Sequence, residues 1–224
     1  NSEDSLSLSH DEVNVMLVDE RHILMGTDWG LSIYDCDSDK FFSSKRLEGK
    51  HIKALCKIGE NYLAGTTTGL FVWDGENFSK VAALPSDHIS YIATDRGRIF
   101  AGAYGHIYEL DRDNPLIVKK IHKLPGLSSS TLVLAICGTE RADRLMVGAE
   151  NGMWIYDCNR GRMTERLIRD IPVKAFLEQE GRLWIGSDKG LFIREGNGVI
   201  REYYHKVGDQ SSLPNDVVWC ISRD

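Results

Sequence analysis

The sequence predicts an all-β fold, a β-propeller built of four-stranded antiparallel blades, and three observations carry that prediction. A glycine-bracketed segment recurs five times: ILMGTDWGLSIYD from Ile23, YLAGTTTGLFVWD from Tyr62, IFAGAYGHIYELD from Ile99, LMVGAENGMWIYD from Leu145 and LWIGSDKGLFI from Leu183. The first glycines of the copies, Gly26, Gly65, Gly102, Gly148 and Gly186, follow one another at intervals of 39, 37, 46 and 38 residues. The apolar runs between them are short, without the 3.6-residue stripe that helical repeats of about this period carry. A phosphate-cradling loop is needed once per site, so glycine pairs repeated five times serve backbone geometry instead.

Each unit offers four strands in a fixed order. The first strands begin at Val13, Ile52, Ile89, Val133 and Val173, with a sixth at Val217 in VVWCIS. They are nearly continuous apolar runs, as expected of strands covered on both faces. Second and third strands flank the glycine-closed turn, where a φ > 0 position suits glycine; the third unit, with GAYG, is one residue short there. Fourth strands such as FFSSKRL, FSKVAAL, IVKKIHKL and VIREYYHKV mix charge with apolar positions, as an outer, half-exposed strand does. First strands therefore line the axis and fourth strands the rim. Leu84-Pro85, Leu124-Pro125, Ile171-Pro172 and Leu213-Pro214 mark the corners, because proline lacks the amide that a ladder requires. The expected blades are residues 11–49, 50–86, 87–126, 127–171 and 172–214, with 215–224 the first strand of a sixth, all in one domain of residues 1–224.

Antiparallel order puts the corner before each first strand and the turn between second and third strands on one face. That face collects His51, Asp87, His88, Ser128, Ser129, Asn215 and Asp216 from the corners, and Asp28, Trp29, Thr67, Tyr104, Glu150, Asn151, Asp188 and Lys189 from the turns. Converging loops make it the expected binding face. Trp29 and Tyr104 are the candidate aromatic platforms, and His51, His88, Asp87 and Asn215 the candidate polar contacts. Trp73, Trp154 and Trp184 fall inside strands and read as core, while Asp35, Asp74, Asp111, Asp157 and Glu195 recur at third-strand ends as turn carboxylates.

Composition narrows the function. The charge is −6 and no Lys/Arg-rich block occurs; VKKIHK, the longest basic cluster, alternates like an exposed strand, so nucleic-acid binding is not expected. No apolar run approaches the roughly 18 residues of a membrane span. NSEDSLSLS lacks signal-peptide character, and a removed signal or excision from a longer protein would read the same. The five cysteines follow the repeat, which holds equivalent positions apart, so they read as free and mostly buried thiols. No His/Cys spacing suits zinc, and no cofactor is expected.

LPNDVVWCISRD and GRLWIGSDKGLFI resemble the two-component regulator propeller repeat: Leu-Pro, a variable pair, an apolar strand, Asp-x-x-Gly, then Leu-Trp-Ile-Gly-Thr-x-x-Gly-Leu. The resemblance spans residues 13–224 and is looser in the third unit. In that family such repeats build the extracytoplasmic sensor of hybrid two-component systems of glycan-degrading gut bacteria, with two seven-bladed propellers ahead of an immunoglobulin-like domain, a membrane helix, a histidine kinase and a DNA-binding regulator. The resemblance thus implies a periplasmic sensor segment that recognises an oligosaccharide, without catalysis of its own, whose kinase lies outside these residues. It also implies that five blades plus one strand are an incomplete arc of a seven-bladed ring, able to self-associate through open blade edges or as the homodimer of its parent. A five-bladed ring would leave VVWCIS, with Trp219, without a place.

Two other functions compete with the sensor, an enzyme and a scaffold. A glycosidase needs two carboxylates across one bond and a lyase a base near a charge-stabilising group, for which His51 and His88 are the best pairing the chain offers. A scaffold of the WD-repeat kind would show Gly-His and Trp-Asp dipeptides in register, and VWD occurs once, at Val72 to Asp74.

Overall fold

A computed structural model describes residues 8–84 and 87–222, so Pro85 of the second corner and Arg223 and Asp224 of the last segment lie outside the described residues. Five four-stranded sheets follow one another along the chain, each an up-and-down antiparallel meander in chain order. The first holds β1 (Val13–Val18), β2 (His22–Thr27), β3 (Gly30–Asp35) and β4 (Lys40–Ser43); the second β5 (Ile52–Ile58), β6 (Asn61–Thr66), β7 (Gly69–Trp73) and β8 (Phe78–Lys80). The third holds β9 (Tyr91–Asp95), β10 (Arg98–Gly102), β11 (His106–Leu110) and β12 (Val118–Lys123). The fourth holds β13 (Val133–Gly138), β14 (Arg144–Ala149), β15 (Gly152–Asp157) and β16 (Arg162–Arg169); the fifth β17 (Val173–Gln179), β18 (Arg182–Ser187), β19 (Gly190–Arg194) and β20 (Ile200–Tyr203). These are the blades of a β-propeller, and the only helical element among the described residues is one 3-10 turn at Lys45–Leu47. By contact density the chain divides into two compact units, Asn1–Ala103 with Tyr108–Ile121 and Tyr104–Ile107 with His122–Asp224.

In the first unit the pleat of β6 shows how sheets stack. Successive side chains point to opposite faces, so Tyr62 and Ala64 pack with Leu24, Leu31, Ile52 and Phe71, while Leu63 packs with Leu70, Ile89, Ile92 and Ile99. Both faces of β6 are covered, and Leu63 has no exposed surface. Truncating such a leucine to alanine costs about 2–5 kcal/mol. The second unit repeats the scheme, with Met146, Met153 and Ile155 of the fourth sheet meeting Val173, Leu183 and Ile185 of the fifth.

The two glycines of each copy have different tasks. A Cβ on Gly26 would lie 2.6 Å from Ile52, one on Gly65 2.8 Å from Ile89, one on Gly148 2.6 Å from the Val173 carbonyl oxygen and one on Gly186 2.9 Å from Val218. The first glycine therefore lets the next first strand pass at backbone distance. The second closes the turn in a left-handed conformation, with φ 138° at Gly30 and 113° at Gly190.

Four expectations need correction. The third first strand starts at Tyr91 rather than Ile89, although the Ile89 amide still donates to the Thr66 carbonyl at 2.9 Å. The segment expected as a sixth first strand forms no ladder over residues 217–222, because no neighbouring strand pairs with it; Val218, not Val217, takes the place of Ile89, donating to the Ser187 carbonyl at 2.8 Å. First strands are not uniformly covered either: Met16 and Val18 of β1 are 58% and 63% exposed, since no sheet of described residues lies against that side. Cysteine burial is likewise mixed, with Cys158 buried but Cys36 and Cys220 exposed.

Candidate ligand site on the hairpin turns

The turn of the first sheet is held by a buried hydroxyl. Thr27 Oγ1 donates to the Gly30 carbonyl at 2.9 Å and accepts from the Trp29 amide at 3.2 Å, leaving Asp28 and Trp29 at the tip. Thr66 and Ser187 do the same in the second and fifth sheets, at 2.9 and 2.8 Å from their glycine carbonyls. The Gly49 amide fixes the Trp29 carbonyl at 3.1 Å, and the indole remains 55% exposed.

In the first, second and fifth sheets the first strands supply polar groups through a recurring irregularity. The β1–β2 register shifts between Val13 and Val15, the β5–β6 register between Ile52 and Ala54, and the β17–β18 register between Val173 and Ala175. A bulge re-aims the extra side chain, here Asn14, Lys53 and Lys174. Asn14 Nδ2 donates to Asp28 Oδ1 at 2.8 Å, Lys53 Nζ lies 3.2 Å from the same oxygen, and His51 Nδ1 lies 3.4 Å from it. The Asn14 bond, and next the Lys53 ammonium, hold the Asp28 carboxyl far below the usual carboxylate range. Asp28 is thus an ionised acceptor flanked by an amide, an ammonium and an imidazole.

In the fifth sheet Lys174 pairs with Asp188, and its ammonium sits 3.5 Å from the centroid of the Trp219 ring, itself 70% exposed. Trp219 follows Val218 as Lys53 follows Ile52, so it occupies the bulge position of the next first strand.

The predicted site residues fall into separate local settings. Trp29 and His51 both adjoin Asp28 in the first unit. Asp87 accepts the Tyr108 hydroxyl, a bond that, after burial, helps push the Tyr108 phenol above its ordinary value. His88, half-buried, precedes the Ile89 contact. Tyr104 stands on the shortened third turn, bridged to Leu132, and Asn215 Oδ1 accepts the Val217 amide at 2.8 Å. Asn14, Lys53, Lys174 and Trp219 were missed; the signal was a polar or aromatic residue at the second position of an apolar run.

Asp35, Asp74, Asp111 and Asp157 each accept backbone amides two or three residues on, at 2.7 to 3.1 Å, as turn carboxylates do. Glu195 differs, pairing with Arg182 at 3.1 Å and Arg201 at 3.7 Å. Trp73 and Trp154 are buried core residues, and Trp184 is half-buried. No group of three or more His, Cys, Asp or Glu among the described residues is placed to hold a metal ion, and no helix among them is long and apolar enough to cross a membrane.

Set against known proteins, the chain has the propeller fold of sensor extracellular domains. Two structures of the extracellular domain of BT4673 from B. thetaiotaomicron, a protein assigned in one case to one component and in the other to hybrid two component systems, superpose with TM-scores of 0.80 and 0.79 at 18% and 19% identity over 99% of the chain. The extracellular domain of BT3049 from the same organism, assigned to a hybrid two component system, gives 0.76 at 18% identity over 100% of the chain. The chain spans 32% of the length of each of these proteins. No family model matches the sequence, and no curated protein does.

Proposed function

We propose that this chain is part of the extracytoplasmic, periplasmic sensor of a hybrid two-component signalling protein, binding an oligosaccharide without converting it. The fold shared with the extracellular domains of two sensor proteins supports the sensor role. The observation that carries ligand recognition is the exposed Trp29 indole beside the Asp28, Asn14, His51 and Lys53 cluster. An indole face suits the C–H surface of a sugar ring, while the cluster offers an ionised acceptor and several donors to its hydroxyls. Ligand binding would signal by favouring one placement of the propeller relative to the domains that follow, by no more than its differential affinity for the two arrangements.

Calorimetric titration with a panel of plant and host oligosaccharides tests this reading. One glycan is expected to bind unconverted, and Trp29→Ala to weaken it at least about tenfold, the loss of about 1.4 kcal/mol. Product formation in the titrated mixture, or an affinity indifferent to both Trp29→Ala and Lys53→Ala, would overturn it.

A further inference from the structure

At the other end of the strands from the glycine turns, the fourth and fifth sheets leave a groove of about 350 Å³. Met146, Ile155 and Leu183 form an apolar floor, with Arg144, Glu178 and Arg194 on the walls. The groove lies wholly within the second unit.

Arg144 is the exception in a repeated arrangement. The first residue of the second strand is cationic or titratable in four sheets, and in three of them it meets an acid in the third strand or just past its end. His22 pairs with Asp35 at 3.6 Å, Arg98 with Glu109 at 3.0 Å and Arg182 with Glu195 at 3.1 Å. Arg144 faces Asp157 in the same register, but Asp157 Oδ1 accepts the amides of Asn159 and Arg160 at 3.1 and 2.8 Å and Oδ2 lies 4.0 Å from Arg160 Nε. The adjacent Asp143 is held by both Nε and Nη2 of Arg141 at 3.2 Å, and Arg194 is taken by Glu165 at 3.3 Å. Among the described residues the Arg144 guanidinium has no hydrogen bond or ion pair, and its Nε is buried without an acceptor. Glu178, on the facing wall, is exposed.

A buried donor of a charged group left without an acceptor is costly, and a carboxylate meets a guanidinium with two parallel bonds. We propose that this groove binds a small organic carboxylate: Arg144 takes the carboxylate, the floor takes the carbon skeleton, and Glu178 accepts a hydrogen bond from a hydroxyl or ammonium on the same molecule. An acidic sugar and an amino acid share that chemistry. The site is independent of the Trp29 cluster.

Isothermal titration of the chain with D-galacturonate and with L-serine, beside D-galactose and acetate as controls, tests the assignment. At least one of the first two is expected to bind at least tenfold more tightly than either control, and which one does separates an acidic sugar from an amino acid. Arg144→Gln should abolish that binding while keeping the unfolding midpoint, because no protein bond is lost. Glu178→Gln, on the exposed wall, should weaken it several-fold, and Trp29→Ala should leave it unchanged. Absence of binding by both galacturonate and serine, or binding unaltered in both groove variants, would overturn the proposal.

Discussion

At the scale of single residues, carboxylates are spent on joining sheets. Asp19 Oδ1 accepts the Arg21 and His22 amides at 2.8 and 2.7 Å, and Oδ2 takes the Tyr62 hydroxyl and lies 3.2 Å from Lys57 Nζ. Burial alone would raise this carboxyl, but the Tyr62 bond, the two amides and Lys57 outweigh it and hold it well below its ordinary 3.8. A pKa depressed on folding contributes stability that is complete above the unfolded value and lost as pH falls toward the folded one. The unfolding midpoint should therefore drop steadily below about pH 5, and Asp19→Asn should flatten that part of the profile while lowering the plateau. Tyr62→Phe should cost about 1 kcal/mol in urea unfolding at neutral pH. Asp19 could not be singled out from sequence, since its partner Tyr62 lies in the next sheet.

At the scale of the element, the meander was legible: short apolar runs without a helical stripe marked most strands, and glycine spacing marked the turns. Two features were not. The bulges opposite Gly26, Gly65 and Gly186 leave no mark in composition, yet they aim Asn14, Lys53 and Lys174 at the turn carboxylates. The task of the first glycine was also hidden, because the atom it avoids belongs to the following sheet. Gly148→Ala would set a methyl 2.6 Å from the Val173 carbonyl oxygen, so it should cost about 1–3 kcal/mol as an overpacked core does, read from the chemical denaturation midpoint. Thr66→Val, which removes the buried bond to Gly69, should cost about 1 kcal/mol by the same measurement.

At the scale of the whole molecule, apolar surface stays open on the first and last sheets. Met16 and Val18 are exposed on β1, as are Tyr203, Tyr204 and Trp219 around the fifth sheet. Apolar patches of this kind favour association. Sedimentation of this chain should show concentration-dependent self-association, weakened by the double substitution Met16→Lys and Val18→Lys; a monomer at all concentrations would show that these faces do not pair. What the sequence by itself determined was the all-β class, the five repeats and the place of the glycine turn within each, because short apolar runs and glycine spacing act within a few residues of each other. Only the tertiary structure decided which polar groups meet. The Asn14, Asp28 and Lys53 cluster and the unpartnered Arg144 both depend on register and on neighbouring sheets, where contacts join residues tens of positions apart.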